Sequence, residues 1–378
     1  MGESTGQRPP VSKFAANLAT VSILAEVFIV NSFHYLLPVF LWIKTKDLSV
    51  STLGFAIYLI CYGLGTLKVK TLKTFNALRV IGSAAGFTAA FLFIMSASEE
   101  WLFIMLCLAA LGASAAVLMG AVPAVKDPMY NLTLALAPFL IATFLEHQQV
   151  DIFLYLGIFM LIFGIFIYLA NFKVFLPRGA IQIKLSAPKK ILASSALLPV
   201  GIYTVTALLP LYGYWLLKIP LSIVGGICFL TLIIPFVIAS YLSKGGVVVG
   251  AEILSSFVLV KIAFLIMATY TSEAWQFLLI WVGLVVLSSL EASSFLVIIN
   301  SSLKDAETTA SLALFFPLFG GIGCLIAASS WLIGAPKLVF IIGAAPCLIA
   351  AILVHRHVVS IRRALGGSQE IEAKQKTR

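Results

Sequence analysis

The stretch Phe33-His34-Tyr35-Leu36-Leu37-Pro38-Val39-Phe40 closes the first long apolar run of the chain, and Leu208-Leu209-Pro210-Leu211-Tyr212 closes another 172 positions later. At the same offset Gly54 matches Gly226. Leu134-Ala135-Leu136-Ala137-Pro138 resembles Leu312-Ala313-Leu314-Phe315-Phe316-Pro317. One short match is weak, but several in register argue that the two halves arose by duplication. Each half must then be an apolar unit of the same topology.

The composition fixes the solvent of those units. The 378 residues are 61% hydrophobic and 11% charged, with a mean hydropathy of +1.09. A soluble domain carries about 25% charged residues, so a water-soluble enzyme and a free nucleic-acid-binding module are both excluded. A span needs about 20 mostly apolar residues, and its backbone must be helical to satisfy its own hydrogen bonds in lipid. Twelve such segments are predicted, near 16–43, 49–67, 80–97, 101–124, 128–146, 151–172, 191–217, 220–243, 247–270, 275–300, 309–333 and 337–355. The fold class is all-α integral membrane, with twelve transmembrane helices in two pseudo-symmetric six-helix bundles. The expected divisions are a cytoplasmic tail (1–15), a first bundle (16–172), a basic cytoplasmic linker (173–190), a second bundle (191–355) and a cytoplasmic tail (356–378) that is polar and disordered from Ala364 onward.

Twenty of the 25 Lys and Arg residues fall on the side holding both termini and the linker, four fall on the other side, and Lys261 lies within a span. That asymmetry places the termini in the cytoplasm of a multi-pass cell-membrane protein. Trp42, Trp101, Trp215, Trp275 and Trp331 sit at the predicted outer ends, as an interfacial aromatic belt requires. The five cysteines lie in apolar runs without CxxC spacing, which points to core packing and to neither metal nor disulfides.

Twelve spans in two halves joined by a basic linker resemble the major facilitator superfamily. Residues 33–40, Leu48-Ser49-Val50-Ser51-Thr52-Leu53-Gly54 and Tyr62-Gly63-Leu64-Gly65 are similar to that family's first two helices. Thr308-Thr309-Ala310-Ser311 and Phe316-Pro317-Leu318-Phe319-Gly320-Gly321-Ile322-Gly323 are similar to the start of its eleventh. Between helices 2 and 3 the basic charge survives as Lys68, Lys70, Lys73 and Arg79, but the family's usual acid is missing, and no subfamily signature is present. The resemblance implies a secondary transporter whose central cavity is lined by helices 1, 4, 7 and 10.

Ionisable groups inside a span cost about 2.5–3.5 kcal/mol on insertion scales and mark function by default. Glu26 is the sharpest candidate, since Ser22, Glu26 and His34 form one polar stripe on helix 1. Glu291 on helix 10 stands at nearly the same depth. Two desolvated carboxyls at one level suit proton exchange, so Glu26, Glu291 and His34 are the expected proton-coupling residues. Ser22, Ser114, Tyr203 and Thr204 are the expected substrate contacts. Lys261, on a peripheral helix by the resemblance, is expected to snorkel outward, with an internal ion pair or an anion contact as the alternatives.

No HExxH, phosphate-binding glycine loop or acidic metal cluster occurs. The expected protein is a non-enzymatic, monomeric transporter without cofactor, metal or nucleic acid. It is expected to move a small neutral or cationic organic solute by alternating access, coupled to protons that Glu26 and Glu291 exchange. A polytopic enzyme acting on lipid-linked substrates and a non-transporting scaffold or sensor remain the alternative classes at this stage.

Overall fold

A computed structural model describes residues 13–71, 77–121, 128–147, 151–169, 187–242, 247–303 and 306–376. These residues form twelve long helices: α1 Lys13–Thr45, α2 Leu48–Thr71, α3 Ala77–Ala97, α4 Trp101–Ala121, α5 Pro128–His147, α6 Ile152–Leu169, α7 Lys189–Thr206, α8 Leu221–Leu242, α9 Val247–Tyr270, α10 Ala274–Ser302, α11 Ala306–Leu332 and α12 Leu338–Lys376. Six of them carry described stretches long and apolar enough to cross a membrane unaided.

Contacts at the loops show that the helices alternate between two faces. At one face Lys44 reaches Ser96 and Asp151, Trp42 packs on Trp215, and Trp215 packs on Trp331. There too the Ser222 N–H donates to Glu146 and Lys337 donates to the Thr271 carbonyl. All six odd-to-even helix connections therefore share this tryptophan-rich face. The start of α1 and the end of α12 lie at the other, terminal face.

The duplication is visible in the backbone. Among the described residues the only non-glycine positions with positive φ are Lys46 (52°) and Lys218 (56°), again 172 apart, each ending the first helix of its half. The matched prolines act differently. Both remove a helical N–H and crowd the carbonyl four residues before. α1 passes Pro38 unbroken. α7 stops at Thr206, and the chain continues through Leu209–Leu211 and a π-helical turn, Tyr212–Leu216.

In lipid, helices associate through close van der Waals packing, which favours small residues. The two bundles meet this way along α2 with α11 and α5 with α8. A methyl group on Gly63 would lie 2.6 Å from the Leu318 backbone nitrogen, and one on Gly225 would lie 2.7 Å from the Pro138 carbonyl oxygen. Only glycine permits either approach.

Two boundaries differ from expectation. α1 begins at Lys13, inside the predicted tail, and α12 continues to Lys376, where a disordered tail was expected. Hydropathy alone does not detect either extension. Most of the expected linker, 173–186, lies outside the described residues, and Lys189 and Lys190 are the first turn of α7.

Candidate functional site

A cavity lies at mid-depth between the bundles, walled by α1, α2, α7, α8, α10 and α11. It encloses about 180 Å³. His34 and Tyr35 line it from α1, Phe55 from α2, Tyr203 and Thr206 from α7, Cys228 and Thr231 from α8, Trp281, Ser288 and Ser289 from α10, and Phe316 from α11. Aromatic rings dominate this wall, with a few hydroxyls between them. Among the described residues no Asp, Glu, Lys or Arg lines it.

His34 occupies an aromatic corner. Its ring centroid lies 5.0 Å from that of Tyr62, 5.7 Å from Tyr35 and 6.1 Å from Tyr58, each pair edge-to-face. Tyr58 stacks in turn on Phe55 and Tyr62. Edge-to-face pairs at these distances hold the rings in one arrangement. The buried Tyr58 hydroxyl has no hydrogen-bond partner. Tyr203 packs against Phe316 across α7 and α11.

At the tryptophan-rich face Trp42 of α1 and Trp215 after α7, one ring from each bundle, meet at 5.3 Å between ring centroids, and both line a second pocket there of about 810 Å³ with Glu146, Tyr214 and Lys218. The Ser222–Glu146 hydrogen bond, 2.9 Å, adds a polar link between α5 and α8.

The expected site residues do not all converge. Tyr203 and His34 line the cavity. Ser22 and Glu26 lie on α1, and their side chains are outside the described residues. Thr204 is buried and donates to the Val200 and Gly323 carbonyls, tying α7 to α11 behind the wall. Ser114 donates to the Ala110 carbonyl and faces a shallow side groove with Ser83, Phe87 and Phe91. Gly112, two residues earlier, abuts the Tyr58 carbonyl. At 100° per residue Ser114 therefore points about 200° away from α2.

Glu291 also departs from expectation. The cavity-lining residues Trp281, Val285, Ser288 and Ala292 centre about 90° around α10 from it. Its Oε2 accepts a hydrogen bond from Lys261 Nζ at 2.6 Å, and both side chains are 1% exposed. Lys261 also donates to Cys347 Sγ at 3.5 Å. Lys261 consequently does not snorkel outward; a buried carboxylate holds it inside. Glu291 Oε1, Ser288 Oγ and Ser294 Oγ, all on α10, have no hydrogen-bond partner.

Trp281, Phe316, Cys228 and Thr231 were not anticipated as site residues. Trp281 carried a signal, being the one tryptophan of six that lies away from a helix end. The others look like ordinary core residues until the helices are assembled.

No family model and no curated relative matches the chain. Solved structures do. The nucleoside transporter NupG matches with a TM-score of 0.69 at 14% identity, over 91% of this chain and 98% of that one. The POT family transporter PepTSo gives 0.67 at 13%, over 94% and 99%. A bacterial homologue of the iron transporter ferroportin, in an outward-facing state, gives 0.58 at 18%, over 91% and 99%. The chain has the major facilitator fold. Within the major facilitator fold, this cavity lies where the two bundles meet, and the protein is a multi-pass membrane protein.

Proposed function

We propose that this protein is a secondary transporter that moves a small organic solute across the cell membrane by alternating access, with its termini in the cytoplasm. One observation carries the proposal: a mid-depth cavity shared by both bundles, with the inter-bundle Trp42–Trp215 contact at one face. A single chain supplies both bundles, so a monomer suffices. Ligands in such a system shift the balance of two orientations through unequal affinity for them.

Proton coupling is assigned to His34 and Glu26. His34 lines the cavity, and its imidazole can both accept and donate a proton. Glu26 lies eight residues earlier on α1, about 12 Å along the axis toward the terminal face. Glu291, held by Lys261, would contribute through that pair and not as a second cavity carboxyl.

The test is proton movement in proteoliposomes containing a trapped pH dye, with neutral and cationic organic solutes added singly. At least one solute should drive proton movement, and His34→Gln and Glu26→Gln should each abolish it while solute binding persists. Unchanged proton movement in both variants removes the coupling assignment. A solute that binds the cavity but never crosses removes the transport assignment.

A further inference from the structure

The duplicated Leu-Leu-Pro motif has a chemical consequence at the cavity. Pro38 and Pro210 have no N–H, so the carbonyls of His34 and Thr206 lose the helical donors they would otherwise have. His34 and Thr206 are themselves 172 residues apart and line the same cavity, one from each bundle. The Thr206 hydroxyl donates to the Ile202 carbonyl at 2.8 Å, so its hydrogen is spoken for and this residue offers a ligand acceptors only. On the facing helix Ser288, 8% exposed and cavity-lining, has a hydroxyl without a partner. A buried polar group left unpaired is costly, and Ser288 Oγ, together with two carbonyls whose i+4 position is a proline, marks the cavity as a place where a ligand can supply hydrogen bonds.

The wall between these groups is aromatic, with Tyr203, Trp281 and Phe316 presenting rings. A solute with a permanent charge would enter without a counter-charge among the described lining residues, which costs more than binding an uncharged one. The volume is slightly larger than the roughly 150 Å³ cavity that admits benzene. That is room for one ring.

We infer that the cavity binds an uncharged, flat, single-ring solute bearing N–H donors, stacked on the aromatic wall and hydrogen-bonded to the His34 and Thr206 carbonyls and to Ser288 Oγ. This deepens the transport reading and rests on it only in taking the cavity as the solute site.

The test is isothermal titration of the full-length protein in nanodiscs with four probes: uracil, 1,3-dimethyluracil, benzyltrimethylammonium and benzoate. Uracil should bind most tightly. Methylating both nitrogens should weaken binding about 100-fold, roughly tenfold per lost hydrogen bond. Ser288→Ala and Trp281→Ala should each weaken uracil binding about tenfold, with Trp281→Phe close to wild type. The sharpest variant is Pro38→Ala. It returns an N–H to the His34 carbonyl, so it should raise thermal stability and yet weaken uracil binding about tenfold. Opposite signs separate a filled acceptor from a damaged fold. Uracil failing to bind, dimethyluracil or either charged ring binding as tightly, or Pro38→Ala binding uracil unchanged would overturn the inference. Uracil that binds but does not cross proteoliposomes overturns the transport reading and leaves the site. Transport of benzyltrimethylammonium without uracil binding overturns the site and leaves transport.

Discussion

Lys261 Nζ on α9 lies 2.6 Å from Glu291 Oε2 on α10, in a pair whose side chains are each 1% exposed. Cys347 of α12 completes the contact, and a methyl on Gly201 of α7 would lie 2.9 Å from the Cys347 backbone nitrogen. Four helices of the second bundle thus converge on one buried charge pair. Removing one partner leaves an uncompensated charge, whereas replacing both by apolar residues is often neutral. Lys261→Met and Glu291→Gln should each destabilise the protein by about 3–5 kcal/mol, and Lys261→Met/Glu291→Leu should recover most of that loss. Thermal unfolding of the purified variants measures it. Harmless single variants would show that the pair does not brace the bundle.

A second pair gives a pH dependence. Asp151 meets Lys44 at 3.3 Å and Ser96 Oγ at 2.8 Å, joining α1, α3 and the start of α6. Partial burial pushes its carboxyl upward, but the Ser96 hydroxyl, the Leu154 N–H and Lys44 outweigh this and hold it below its ordinary value of 3.8. A depressed folded value means the stabilisation is complete above the unfolded value and disappears as pH falls through the folded one. The stability advantage of the wild type over Asp151→Asn should therefore be full at neutral pH and shrink below about pH 4. A gap that grows on acidification would contradict this assignment.

The Trp42–Trp215 contact should set how often the tryptophan-rich face opens. Aromatic pairs contribute about 0.5–1.5 kcal/mol beyond their buried area. Trp215→Ala should shift the orientational equilibrium severalfold or more toward opening at that face. Spin labels at the exposed Lys46 and Lys218 read this by pulsed electron resonance, with a longer-distance population growing in the variant. An unchanged distribution would mean that the rings do not act as a gate.

Hydropathy and the 172-residue repeat reveal the helices, because lipid leaves the backbone no other choice. The repeat also foreshadows Lys46 and Lys218, whose matching left-handed turns no composition shows. The site was less legible. A helical wheel says which side chains share a face, but not which face meets a neighbour. Ser114 and Thr204 therefore look like cavity residues until the glycine contacts of α4 with α2 and of α7 with α11 fix each rotation. Glu291 and Lys261 lie 30 residues apart on separate helices, and only the assembled α9–α10 pair shows that each satisfies the other.

The central claim is that one cavity opens to the two sides in turn. Thr206→Cys, in a chain whose five native cysteines are replaced by serine, puts a thiol on that cavity. Labelling with a membrane-impermeant maleimide from each side of oriented vesicles then reads access directly. The account predicts modification from both sides, faster from the tryptophan-rich side when Trp215→Ala is added. Modification from one side alone, unaffected by Trp215→Ala, would contradict it.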